Sequence, residues 1–407
     1  MARLPFACVI GDLSLIRALG RRRIPVAVIT ADPRSSGTLS RYCSTVVATP
    51  SFVEDPEGAT VALVAWARKQ ADPVVFYQGD HDLLAMSRYR RRLTPHIRCV
   101  LPPANLVEDL VDKLHFAALA ERLALPVPPT HSLRRGASFE PDARRWDSFP
   151  CVLKPAMRTH WFGSALQVAA IGTTQKALRI ESRGEMERLL PLLATHETDF
   201  IVQAAIEGGE ERILSYHAYV RPGGVVVAEF TGKKVRTSPR RYGVSTYVEI
   251  TDDPTLRQLG RRLLERLGFC GVLKMDFKQD ERDARLYLLE INPRFNLWHH
   301  PAAVAGLCLP ELFYQDCIEP GSARAPGSMR VGVRWMSLRE DRRALNEYRA
   351  AGEISLARWF LQIVTADVNE DFNLRDPLPG LAELAGAAKR ELGRMCRASA
   401  TRRETSR

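Results

Sequence analysis

Lysine is scarce in this 407-residue chain: nine of the 58 basic residues are lysines, at 69, 113, 154, 176, 233, 234, 274, 278 and 389, and the other 49 are arginines. No apolar run approaches the roughly 20 residues that a membrane-spanning helix requires, so integral insertion is excluded by length. The first residues lack a charged segment followed by an apolar core and a small-residue cleavage site, which predicts a cytoplasmic protein. Eight cysteines, at 8, 43, 99, 151, 270, 308, 317 and 396, include no Cys-x-x-Cys pair. They read as small buried hydrophobes, and neither a zinc site nor a disulfide framework is expected. No G-x-G-x-x-G follows the first predicted strand, which disfavours dinucleotide binding. There is no Ser-His-Asp or Cys-His pattern, no internal repeat and no low-complexity segment.

The formal net charge is +11, and the last nineteen residues from Lys389 carry +5 of it, seven basic against two acidic. The body is therefore only mildly basic. No face combines clustered Lys/Arg with aromatic support, which argues against nucleic acid as a partner. The triplets Arg21-Arg22-Arg23 and Arg90-Arg91-Arg92 are either phosphate contacts or solvated helix ends. With 45% hydrophobic residues, the chain can fill a core in each of two or three domains.

The first hundred residues alternate strands and helices: strands Phe6–Gly11, Pro25–Thr30 and Val74–Tyr77, with helices Leu13–Arg22, Val61–Gln70 and Asp82–Arg91. That order predicts parallel β-α-β units, with ligands beyond the carboxyl ends of the strands at Gly11-Asp12 and Gln78-Gly79-Asp80. The competing reading makes the glycines turn formers and the aspartates helix caps. A helix over Val107–Leu123 ends at the proline-rich Pro126–Thr130, a natural boundary. Beyond it strict alternation stops, which predicts α+β. Strands are expected at Phe149–Lys154, Leu178–Glu181, Asp199–Gln203, Arg212–Val220, Gly224–Phe230, Tyr247–Ile250, Gly271–Lys278 and Arg285–Asn292. Helices are expected at Glu185–Leu193, Pro254–Leu267, Arg339–Ala351 and Leu381–Arg394.

Three elements carry chemistry. Strand Gly271–Lys278 contains Asp276, and strand Arg285–Asn292 ends Glu290-Ile291-Asn292 before Pro293-Arg294. Alternate residues of a strand share a face, so Glu290 and Asn292 point one way, and pairing of the two strands brings Asp276 beside them. Two carboxylates and an amide oxygen are hard ligands suited to Mg²⁺; the alternative is an ordinary charged strand end. Arg294 has a fork suited to a carboxylate or phosphoryl oxygen. The second element is Lys154, closing an apolar strand before Pro155, with Lys176 at the entrance of the partner strand. As a pair they suit a triphosphate, and each alone is a solvated strand end. In the third, Gln203-Ala204-Ala205-Ile206 leads an apolar strand into a glycine turn, with Glu210 placed to accept ribose hydroxyls.

In this order the elements resemble the ATP-grasp superfamily, in particular its carboxylate–amine ligase-like members. The resemblance runs from Gly11 to about Leu312, and its most specific part is Gly271–Arg294. It implies an α/β and α+β chain: a Rossmann-like pre-ATP-grasp domain over 1–110, a two-subdomain ATP-grasp fold over 111–325 (divided near 200) and a C-terminal helical extension with a basic tail over 326–407. It further implies that Lys113, Lys154 and Lys176 approach ATP and that Gln203, Ala204, Ala205 and Ile206 form the adenine hinge. Glu210 then contacts ribose, Asp276, Glu290 and Asn292 hold Mg²⁺ or Mn²⁺, and Arg294 with Lys176 acts in catalysis. The implied reaction activates a small-molecule carboxylate as an acyl phosphate and joins it to an amine, with no nucleic acid or membrane involved and a homodimer left open. Two alternatives stand beside it: a ligase with a non-amine acceptor, and a nucleotide-binding scaffold without turnover. Asp276 is one methylene shorter than the glutamate common in the family, and Arg158–Gly163 replaces a compact glycine-rich loop. His299-His300 reads as an acid–base or substrate pair or as capping residues, and Lys233–Arg236 and Arg240–Gly243 as basic loops between strands facing the cleft.

Overall fold

The computed structural model describes residues 4–136, 138–156, 177–195 and 198–386. Lys176, the segment Arg158–Gly163 and most of the helix expected at Leu381–Arg394 lie outside them.

Three sheets form among the described residues. The first is parallel, ordered β3-β2-β1-β4, from β1 (Ala7–Ile10), β2 (Val26–Thr30), β3 (Cys43–Ala48) and β4 (Val74–Tyr77). The second is antiparallel, ordered β5-β8-β6-β7, from β5 (Thr130–Leu133), β6 (Cys151–Pro155), β7 (Leu178–Ile180) and β8 (Phe200–Ala204). The third has seven strands ordered β13-β12-β9-β10-β11-β14-β15. They are β9 (Ile213–Arg221), β10 (Val225–Ser238), β11 (Val244–Thr251), β12 (Gly271–Gln279), β13 (Leu286–Asn292), β14 (Arg334–Met336) and β15 (Val368–Asn369).

Helix Pro254–Leu267 shows how the sequence fixes an element. Asp253 accepts from the Leu256 N–H, Pro254 starts the first turn, and Gly268 ends the helix at φ 56°, a left-handed conformation that glycine adopts without a Cβ clash. Leu256, Leu263, Leu264 and Leu267 share its buried face, each contributing roughly 1.5–3 kcal/mol by burial, and pack with Tyr216 and Leu273 of the large sheet.

Three expectations are corrected. The helix over Val107–Leu123 is two helices, Ala104–Val111 and Lys113–Arg122, because Asp112 adopts an extended conformation and its carboxylate caps the Leu114 and His115 N–H groups at 2.8 and 3.1 Å. Strand β10 does not stop at Phe230 but runs to Ser238, so Lys233, Lys234 and Arg236 belong to a strand and not to a loop. Pairing with β9 on one side and β11 on the other overrides the weak strand propensity of Gly232 and the two lysines. Strands β3, β5, β14 and β15 and helices His299–Val304, Leu309–Ile318 and Leu356–Thr365 were not expected.

One core joins the first and third sheets: Val9, Val26 and Phe76 from one, Tyr219, Phe230, Val248 and Val272 from the other, with Phe295, Trp298 and Phe313 between them. A polar anchor lies beside it. The fully buried Arg17 donates from Nε to Asp376 Oδ2 at 2.9 Å and from Nη1 to the Glu370 backbone oxygen at 2.7 Å and Oε1 at 3.2 Å. Asp376 also accepts from Ser40 Oγ and the Arg41 N–H, both at 2.8 Å, and Glu370 Oε2 accepts from Trp335 Nε1 at 2.8 Å and contacts His300 Nδ1 at 3.2 Å. Segment 370–376 is thus strapped across the first sheet and the edge of the third. None of the described helices is long and apolar enough to cross a membrane.

Arg17→Met removes the cation and leaves Asp376 buried without its counter-ion, held by the Ser40 and Arg41 hydrogen bonds. It should destabilise the fold by about 3–5 kcal/mol, measured as a lower denaturation midpoint in urea.

Candidate functional site

The site is set by the register of β12 against its two neighbours. Asp276 pairs with Glu290 of β13 on one side and Ser215 of β9 on the other, and Lys274 stands opposite Asn292 and His217. Asp276 is 1% exposed and accepts from Ser215 Oγ at 2.5 Å, Lys274 Nζ at 2.7 Å and Lys234 Nζ at 3.1 Å. Burial alone would raise its pKa; Lys234 and Lys274, with the lysine and serine hydrogen bonds, hold it well below the usual carboxylate range. Lys274 Nζ is also 3.9 Å from Glu290 Oε1, so its ammonium lies between the two carboxylates. Asn292 donates from Nδ2 to Glu290 Oε1 at 3.0 Å and accepts from Arg294 Nη2 at 3.1 Å.

The donor types gathered here are those that a divalent cation takes. Two carboxylates and an amide group converge where a positive charge, that of Lys274, already sits between the acids.

Arg294 reaches the first sheet. Its Nε donates to Asp80 Oδ1 and its Nη2 to Asp80 Oδ2 at 3.4 Å, while the Phe295 N–H extends β4 by donating to the Tyr77 carbonyl at 3.2 Å. Asp12 accepts from the Ser14 N–H at 2.9 Å and Asp82 from the Gly79 N–H at 2.7 Å, so both aspartates cap helices. The Asp12 N–H donates to Gln78 Oε1 at 2.8 Å, which ties the ends of β1 and β4 together.

The second sheet contributes Lys154. Its Nζ donates to Gln203 Oε1 at 2.8 Å, and Gln203 Nε2 donates onward to Thr130 Oγ1 at 2.9 Å. Burial lowers the Lys154 pKa to about 8; Glu290 works against this and Lys113 adds to it, so the second and third sheets share one electrostatic environment. Lys113 Nζ donates to the Ala156 carbonyl at 3.4 Å. The Ala204 and Ala205 N–H groups are committed to the Pro129 and Pro150 carbonyls at 2.9 and 3.0 Å. Burial raises the Glu210 pKa against the opposing pull of Lys234 and Lys278, and Lys278 Nζ donates to the Gly208 carbonyl at 2.6 Å.

Sequence reasoning missed Lys274 and Ser215 as members of this cluster and placed Lys234 on a loop facing the cleft, not on a strand. Lys274 and Asp276 are two apart on one strand and share a face, and lysine is rare here; those two signals together would have found it. Lys234 needed the full length of β10.

The two expected histidines separate. His300 joins Glu370 in the strap, whereas His299 and His217 are fully buried, and neither ring has a hydrogen-bond partner among the described residues. His217 stacks on Phe230 at 4.4 Å and lies 5.1 Å from the Trp298 ring, which fits because residue 232 is glycine: a Cβ there would stand 2.2 Å from Trp298 Cζ3. Burial pushes the His299 pKa down to about 3, and burial with neighbouring His299, Lys274 and Lys234 pushes His217 down as well. Below about pH 6.5 the unfolded chain binds protons that these rings refuse. Each therefore removes up to roughly 1.4 kcal/mol of stability per pH unit as pH falls toward its folded pKa. His299→Phe should flatten the loss of stability between pH 6.5 and 4, read from denaturation midpoints across that range.

No family model matches the chain. It is 27% identical over 277 residues to the D-aspartate ligase of Enterococcus faecium (strain Aus0004), a match that covers 66% of this chain. The chain spans about 65% of that relative's length. Among solved structures, the L-amino acid ligase of Bacillus licheniformis superposes with a TM-score of 0.57 at 15% identity, covering 80% of this chain and 78% of that one. The biotin carboxylase domain of Hydrogenobacter thermophilus 2-oxoglutarate carboxylase, solved with MgADP, ADP and bicarbonate, gives 0.60 at 13% identity, covering 82% and 74%. Over about four-fifths of its length the chain therefore shares the fold of these structures.

Proposed function

We propose that the chain is an ATP-dependent, ADP-forming carboxylate–amine ligase. The observation that carries this reading is the convergence of Asp276, Glu290, Asn292 and Arg294 at the end of β12 and β13, with Lys154 coupled to Glu290 from the second sheet. The relatives support it: one is named for ligating D-aspartate and another for ligating L-amino acids. An amino acid is accordingly the proposed class for one of the two substrates. The unit boundaries near 110 and 325, and a cytoplasmic location, belong to the same proposal.

In this reading Lys154, with Lys113 nearby, holds the triphosphate, and Lys176 supplies a second ammonium from outside the described residues. Gln203 orients Lys154, segment 204–206 borders the adenine, and Glu210 meets the ribose. Asp276, Glu290 and Asn292 would hold Mg²⁺, with Mn²⁺ able to replace it. When bound, the metal neutralises charge on the transferring phosphoryl oxygens. The donor carboxylate attacks the γ-phosphorus, ADP departs, and the acyl phosphate is held by the Arg294 fork. The amine then adds to the acyl carbon and phosphate leaves. No side-chain nucleophile is required, in keeping with the absence of a Ser-His-Asp or Cys-His pattern from the sequence.

The test is ADP release with ATP, Mg²⁺ and a panel of amino acids as carboxylates and amines, D-aspartate included. Release should require all components and fall on the order of 10²-fold in Glu290→Gln; ATP binding without turnover across the panel would sink the proposal. A second expectation follows from Lys154. Its folded pKa near 8 means that the ammonium is lost as pH rises, so ATP affinity should weaken above about pH 8. In Lys154→Arg that dependence should vanish, measured by calorimetric titration from pH 7 to 9.

A further inference from the structure

Arg294 is offered an anion by the protein itself. Its side chain is 18% exposed and is engaged on two nitrogens by Asp80, which lies just beyond the first sheet, 214 residues earlier in the chain. The contact is built in: Pro293 ends β13, the Phe295 N–H binds the Tyr77 carbonyl, and Asp80 opens the helix Asp80–Arg88 just past β4. Among the described residues the guanidinium also donates to the Asn292 amide oxygen.

We propose that Asp80 is an internal competitor at the Arg294 anion subsite, so that a carboxylate, phosphate or acyl phosphate binds there by displacing it. Two features make displacement inexpensive. Asp80 is 40% exposed, so its carboxylate regains water on release. It also stands in the first turn of its helix, where the backbone N–H groups favour a negative charge with or without Arg294. The incoming anion gains an arginine already held in place by Asn292. An acceptor lacking an anionic group has nothing to exchange for Asp80, so the contact selects for anionic groups at this end of the cleft. The inference rests on the proposed role of Arg294 as an anion receptor.

The test is calorimetric titration of inorganic phosphate into the nucleotide-free, metal-free full chain and into Asp80→Asn, Asp80→Glu, Arg294→Gln and the Asp80→Asn/Arg294→Gln double variant. Asp80→Asn should bind phosphate roughly three- to tenfold tighter, the scale of a half-exposed ion pair. Asp80→Glu should stay near the parent, and the gain should disappear in the Arg294→Gln background. Unchanged or weaker binding in Asp80→Asn overturns the proposal and makes Asp80 a positioning residue for Arg294. An equal gain in both backgrounds overturns it too, since that is a general charge effect. So does phosphate binding that is insensitive to Arg294→Gln. Because no turnover is involved, failure of the ligase reading shows separately, as absent ADP release.

Discussion

The antiparallel register of β12 between β9 and β13 is the constraint on which the rest of the site depends. It places Asp276, Ser215 and Glu290 in one row and Lys274, His217 and Asn292 in the next, so a polar cluster and its buried neighbours are fixed by backbone hydrogen bonds. A slip of one residue would send Asp276 into the leucine layer under the helix Pro254–Leu267 and lift Met275 or Phe277 into the cleft. The apolar residues between the lysines and aspartate are thus as much a part of the site as the charged ones, because they make the alternative register costly.

Charge at this cluster is balanced within the protein. Asp276 has two ammonium partners, Lys274 leans toward Glu290, Glu290 accepts from Asn292, Asn292 accepts from Arg294, and Arg294 meets Asp80. Each group has a compensating neighbour, so a buried ionic cluster exists without leaving an isolated charge. A second chain of polar contacts, Lys154 to Gln203 to Thr130, prepares the opposite wall. Ligand binding at such a surface is an exchange of partners, and its free energy is the difference between the new contacts and those given up.

Much of this was legible in the sequence because it is written in local pattern. The pairing of Asp276 with Glu290 follows from strand periodicity and a short turn, and Pro254–Leu267 from its cap, its proline, its leucine spacing and Gly268. What escaped depends on contacts distant in sequence. Lys234 lies on a strand made long by neighbours on both sides, Asp80 meets Arg294 only because two sheets share a core, and Arg17 finds its acidic partners only when segment 370–376 folds over it. Asp112 illustrates the smaller failure: a cap inside a continuous apolar pattern divides one predicted helix in two.

The scarcity of lysine gives the cleft a chemical signature. Lys113, Lys154, Lys234, Lys274 and Lys278, five of the nine in the chain, direct their amines to carbonyl, amide or carboxylate oxygens of the protein itself, whereas 49 of the 58 basic residues are arginines. They differ in how firmly the proton is held: burial lowers the pKa of Lys154, to about 8, and of Lys278, whereas that of Lys234, against burial, is raised by Asp276 and Glu290. A reagent that acylates free amines would therefore separate these lysines by their surroundings, reaching the exposed Lys69 first and the ion-paired Lys234 last.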